Sequence, residues 1–148
     1  SATSITANFT LPTDGTYFIR VENNDGNAAR SGSAILTVSD APTWTTGAGS
    51  LGNIAGDFSG TVATVAASGD STLTFSETTN VLTNNSQANC TLNSSTGAIT
   101  TSDFGGSSTS ATTYNFTLRV TDAEGQTADR AFSLTSVFSV LNSGRFDG

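Results

Sequence analysis

The sequence reads as all-β, folded into stacked sandwich modules. Three observations predict this. Short runs alternate apolar and polar residues with period two, most clearly where Tyr114, Phe116, Leu118 and Val120 share one face. Clusters such as Pro12-Thr13-Asp14-Gly15 and Ser68-Gly69-Asp70 break the chain between these runs, and no stretch holds a 3.6-residue apolar period for ten residues. One motif also occurs twice: IRVENNDGNAA begins at Ile19 and LRVTDAEGQTA at Leu118, with Arg20, Val21 and Gly26 matching Arg119, Val120 and Gly125. Each copy reads as strand, acidic glycine turn, strand, with the glycine supplying a backbone conformation that a Cβ resists.

The elements follow in order. Residues 4–11 place Ile5, Ala7, Phe9 and Leu11 on one face, residues 16–22 place Tyr17, Ile19 and Val21 together, and residues 31–39 align Ala34, Leu36 and Val38. These three strands predict a small antiparallel meander over residues 1–40. Three short strands cannot bury enough surface to stand alone, so this part is expected to pack on the rest of the chain or on another molecule. Pro42 cannot donate to a ladder and marks a boundary. Residues 41–137 then predict a larger sandwich, with strands over 60–67, 72–75, 90–92, 98–101, 114–121 and 128–137. Residues 138–148 form a tail in which Phe138, Val140 and Leu141 either extend the last strand or dock elsewhere. Phe146 is either unstructured or an anchor for a neighbour. The chain is expected to be a piece of something longer that begins inside a fold.

Composition excludes several functions. Charged residues make up 11% of the chain against about a quarter in an average domain, so hydroxyls and amides solvate its surface. A net charge of −7 with no basic cluster argues against nucleic-acid or anionic-membrane partners. No run of 18 apolar residues predicts a membrane span. There is no histidine, and hence no Ser-His-Asp or Cys-His arrangement. The single cysteine, Cys90, has no internal disulfide partner and no set of zinc ligands around it. It is either a buried small side chain or the site of a bridge to another molecule. No glycine-rich phosphate loop is present. Asp122 and Glu124 form the best local carboxylate pair, with turn capping as their simpler role. The chain is therefore expected to be no enzyme and to need no cofactor, with calcium as the one ion worth testing. Trp44 and Tyr17 are candidates for a ligand or inter-module contact, with Trp44 otherwise a plug between modules or the cap of a core.

Residues 10–42, with DGTYFIRVENNDGNAA and the closing AILTVSDAP, resemble the C-terminal half of an IPT/TIG domain, an immunoglobulin-like sandwich of about twice this length. Residues 41–137 resemble an immunoglobulin-like or cadherin-like module, through Trp44 with the glycines at 47–52, LNSSTGAIT at 92–100, and YNFTLRVTDAEGQTADRAFSLT at 114–135. One departure stands at VLTNNSQANCTL, residues 81–92, where the family often carries Leu-Pro-x-Gly-Leu. The resemblance implies immunoglobulin-like β-sandwich modules. It also implies calcium candidates at Asp40, Asp122, Glu124 and Asp129, although the Asp-rich cadherin linker is missing.

Arrays of such modules occur in bacterial surface proteins and in tailed-phage structural proteins. The resemblance thus implies a non-enzymatic virion component, a capsid- or tail-associated fibre or decoration protein, whose partners are other virion subunits or copies of itself. The alternative it carries is a bacterial adhesin or carbohydrate-binding module that meets cell-surface glycans.

Overall fold

The computed structural model describes residues 6–11, 14–22, 24–106 and 110–137. The residues of the tail, including Phe146, and the start of the first expected strand, including Ile5, lie outside them. The chain divides into two compact units, Ser1–Asp40 and Ala41–Gly148.

In the first unit β1 (Gly15–Tyr17) pairs antiparallel with β4 (Leu36–Val38), and β2 (Arg20–Glu22) with β3 (Ala28–Arg30). The Ser31 N–H donates to the Ile19 carbonyl at 2.9 Å and the Ile35 N–H to the Tyr17 carbonyl at 3.1 Å, so the two pairs form one interrupted ribbon. Of the three expected strands, the described part of the first, residues 6–11, joins no ladder, and the other two form this ribbon. The expected interior face is corrected as well. Ile19 and Val21 are exposed and Tyr17 is half-buried, since among the described residues of this unit no second layer packs on the ribbon.

The second unit is an immunoglobulin-like β-sandwich. One sheet runs β6 (Gly49–Ala55), β13 (Thr127–Val137), β12 (Thr112–Thr121), β9 (Thr74–Glu77), with β6 parallel to β13. The other runs β10 (Cys90–Leu92), β11 (Ala98–Thr101), β7 (Gly60–Thr64). A short pair, β5 (Thr43–Trp44) with β8 (Ala67–Ser68), flanks them. This matches the strand set of an immunoglobulin-type Greek key, in which neighbours within each sheet are mostly distant in sequence. Among the described residues no helix is long and apolar enough to cross a membrane.

Alternation decides which side chains form the core. On β12 Tyr114, Phe116, Leu118 and Val120 face inward, and on β13 Phe132 and Leu134 meet them. Ile99 and Val65 close the core with them. The Trp44 ring packs edge-on to Phe132 with centroids 5.3 Å apart and tilted against Phe75 at 5.7 Å. Such pairs add about 0.5–1.5 kcal/mol each beyond the area they bury. Cys90 is buried, its Sγ–H directed at the Ala88 carbonyl, and burial pushes its thiol up to about 11. That makes it a small core side chain and a poor nucleophile.

Two strands were not anticipated, β5 and β6. Gly49, Gly52 and the small residues around them give β6 no period-two signal. It forms because the free edge of β13 offers a ladder to any extended segment that lies along it.

The connection after β9 is organised by one carboxylate. Glu77 Oε1 accepts the N–H groups of Val81 (2.6 Å) and Leu82 (2.8 Å) and the Thr79 hydroxyl, while Oε2 accepts the Thr83 N–H (2.9 Å) and hydroxyl. Burial pushes this carboxyl up, but the donors together outweigh it and hold it below its ordinary value of 4.5. A folded-state pKa that is lowered contributes stability above the unfolded value, lost as pH falls through the folded one. Glu77→Gln, which keeps one acceptor oxygen and no charge, should therefore cost about 1–2 kcal/mol at pH 7. The gap between variant and wild type should narrow as urea titrations move from pH 5 to pH 3. A gap that stays constant over this range would show that the charge is not what holds the loop.

Candidate metal centre

Both copies of the repeated motif form hairpins of the same register. Arg20 stands opposite Arg30 and Arg119 opposite Asp129, with five residues between the strands in each case. Gly26 and Gly125 take φ of 82° and 88°, as their turns require. The acidic residues in the two turns behave differently. Asp25 caps its own turn in solvent, accepting the Asn27 N–H at 3.0 Å and the Asn27 amide at 2.9 Å. Asp122 is only 6% exposed. Its Oδ1 accepts the Gln126 N–H at 2.7 Å and its backbone N–H donates to the Gln126 carbonyl at 3.0 Å, which closes the turn.

The other oxygen, Asp122 Oδ2, is buried and has no hydrogen-bond partner. A buried carboxylate oxygen left bare costs a few kcal/mol and calls for a reason. Carboxylates of Asp70, from the β8–β9 connection, and Glu124, from the turn, gather beside Asp122, with one oxygen from each of the three within 4.8 Å of the others. Two oxygens each about 2.4 Å from one ion lie at most about 4.8 Å apart, so the spacing suits a shared hard cation. Ser71 ties the loops together: its hydroxyl donates to Glu124 Oε2 at 2.6 Å and accepts the Ala123 N–H at 3.1 Å. Three like charges at this separation repel unless a cation joins them.

The donor set is all oxygen, on connections with no imidazole or thiolate nearby. That chemistry fits calcium, which takes six to eight oxygens in flexible geometry, better than zinc. These three residues would supply part of its shell. The trio sits at the end of the sandwich where the chain enters this unit, since Thr43 pairs with Ser68 and Pro42 lies against Gly69.

The other candidates lie elsewhere. Asp129 faces outward and is gripped at two points by Arg119, at 2.7 and 2.8 Å. The Arg119 hydrogen bonds hold its carboxyl below the usual range. Asp40 ends the first unit and is not one of the three. Trp44 is 5% exposed, and its Nε1–H donates to the Ala128 carbonyl at 3.0 Å, so it presents no ring face to a saccharide. Tyr17 lines a groove of the first unit. Asp70 was not singled out in the sequence. It stands 52 residues from Asp122, and its only signal was an acidic residue in a Ser-Gly-Asp turn.

No family model matches the sequence, and no curated protein matches it. Solved structures do resemble the fold. The human mucin-like protocadherin EC1-2 is 18% identical, with a TM-score of 0.52 over 82% of this chain and 69% of that one. Protocadherin gamma B7 cadherin domains 1-4 are 13% identical, with a TM-score of 0.53 over 87% of this chain and 41% of that one. The protocadherin gamma B4 extracellular domain is 16% identical, with a TM-score of 0.52 over 84% of this chain. This chain spans 22% of that ectodomain's length. At these identities the likeness is one of fold: a cadherin-type, immunoglobulin-like β-sandwich.

Proposed function

We propose that this chain is a non-catalytic adhesive module of an extracellular protein and that it binds calcium through Asp70, Asp122 and Glu124. The single observation that carries the reading is the cluster of three carboxylates around Asp122, a residue that also holds a buried oxygen with no hydrogen-bond partner. A bound ion would cancel the repulsion among the three carboxylates and lock the β8–β9 connection onto the β12–β13 turn. The likeness to cadherin ectodomains supports the setting, a cell surface where millimolar calcium is at hand. The absence of histidine and the sealed Cys90 thiol support a non-catalytic role.

A phage-virion setting, expected from the family resemblance, draws no support from that likeness, which is to cell-surface proteins. Of the two settings implied by the sequence, the adhesin is the better supported. Its carbohydrate-binding form lacks the Trp44 platform.

The test is a calcium titration of chelator-treated protein, followed by calorimetry and by melting. Extracellular modules bind calcium with Kd of about 10⁻⁴–10⁻³ M. At 10 mM calcium this stabilises by about 1.4–2.7 kcal/mol and should raise the Tm by roughly 5–15 °C. Asp122→Asn should abolish both the binding heat and the Tm gain. An identical Tm in calcium and in chelator would remove the proposed site.

A further inference from the structure

In the second unit a cleft of about 520 Å³ lies between the connection that leads into β10 and the β10–β11 hairpin. It is lined by Asn85, Asn89, Thr91, Thr100, Thr101 and Ser102. We propose that this cleft binds a neutral saccharide. This names the partner class of the adhesive role proposed above and rests on that role for its setting.

The walls are held in place by the fold itself. In the connection, Asn84 Oδ1 accepts the Ser86 N–H at 2.9 Å, and the Asn84 carbonyl accepts the N–H groups of Gln87 and Asn89 at 2.9 and 3.0 Å. Asn89 has φ of 54°, a conformation that asparagine tolerates better than most residues. Its side-chain amide donates to the Asp103 carbonyl at 2.8 Å. The Thr101 hydroxyl donates to the Asn89 carbonyl at 2.7 Å and accepts the Asp103 N–H at 3.1 Å. These bonds fasten the connection to the end of β11, so the cleft is formed before any ligand arrives.

The lining then presents polar groups that the fold does not use. Asn85, Thr91, Thr100 and Ser102 are exposed, and their side chains make no hydrogen bond among the described residues. Thr91 stands directly opposite Thr100 in the ladder, which sets two hydroxyls side by side. A hydroxyl both donates and accepts, and an amide offers one group of each kind, which matches the hydroxyls of a sugar. None of the lining residues is charged, in a chain of net charge −7, so the cleft offers an ionic ligand no counter-charge. It also offers an apolar ligand little surface. Its volume lies in the range of about 300–1,000 Å³ typical of small-ligand sites. With no aromatic ring in the lining, binding of one saccharide should be weak, with Kd on the order of 1 mM, and adhesion would draw on several modules at once.

The experiment is amide NMR of the full chain titrated with lactose, maltose and cellobiose from about 0.1 to 50 mM, a range that brackets this Kd. The cleft shares no residue with the carboxylate trio, so the titration is made in chelator, and its outcome is independent of the calcium result. Saturable shifts are expected at residues 85, 89, 91 and 100–102 for at least one of the three sugars. Thr100→Val, which keeps the shape and β-branching, and Asn85→Ala should each raise Kd by about three- to tenfold. Thr64→Val, at an exposed threonine outside the cleft, should leave it unchanged. No saturable shift with any of the three sugars overturns the proposal. Saturation that Thr100→Val and Asn85→Ala leave untouched also overturns it, because the sugar then binds elsewhere. Tighter binding of sialyllactose than of lactose would overturn the neutral class of ligand.

Discussion

Gly97→Ala should unfold most of the second unit's population at moderate urea, with a loss of at least about 4 kcal/mol. Gly97 takes φ of 69°, where an L side chain is strained by about 1–2 kcal/mol. The larger part is steric. A Cβ there would fall inside the Val65 carbonyl oxygen, with the Val65 carbonyl carbon and Cγ2 both at 3.2 Å. The obstacle is backbone and cannot rotate away. Val65 donates its N–H to the Gly97 carbonyl at 3.0 Å, and Gly97 donates its own to Asn93 at 3.0 Å. Relief would therefore pull the turn from the end of β7 and open the contact between Val65 and Ile99, which are 1% and 0% exposed. Gly125→Ala is the control. Gly125 has φ of 88°, but nothing lies within 4 Å of its added Cβ, so only the conformational strain remains. Equal losses in the two variants, measured by urea unfolding, would show that the Val65 contact does not matter.

Trp44→Ala should cost about 3–5 kcal/mol, as aromatic truncations in cores do. It removes ring contacts with Phe75 and Phe132 and leaves the Ala128 carbonyl without its indole donor. It also unsettles Arg130, whose guanidinium reaches across the sandwich edge to the Thr46 carbonyl at 2.7 Å. Trp44→Phe, which restores most of the volume but no N–H, should recover more than half of the loss. If Trp44 were instead a surface platform, alanine would leave the urea midpoint where it was and change only ligand binding.

How much of this was legible depended on distance along the chain. The strand over residues 114–121 was readable because alternation is a local property with a single interpretation, and β12 spans Thr112–Thr121. The hairpin registers were readable too. A repeated glycine turn of fixed length sets the pairing, and both copies obey it. The same alternation in Tyr17, Ile19 and Val21 misled, because period two says which residues share a face and nothing about whether a second layer exists to cover it. β6 was missed because its stability comes from the β13 edge and not from its own residues. Glu77 was missed because the five donors it gathers follow from a loop path that no spacing announces.

The candidate metal centre divides along the same line. Asp122 and Glu124 stood out in sequence as neighbours on a turn. Asp70 could join them only once β9 had paired beside β12, with Thr74 opposite Thr121.

From residues alone came the β class, the inward side of each long strand, the glycine turns and the lack of an imidazole catalyst, all of which short-range sterics and residue chemistry dictate. The tertiary fold decided which carboxylates lie together, that Trp44 lies inside, and that Ile19 and Val21 do not. Each of these depends on segments meeting across tens of residues, where burial and charge have meaning only after the sheets have packed.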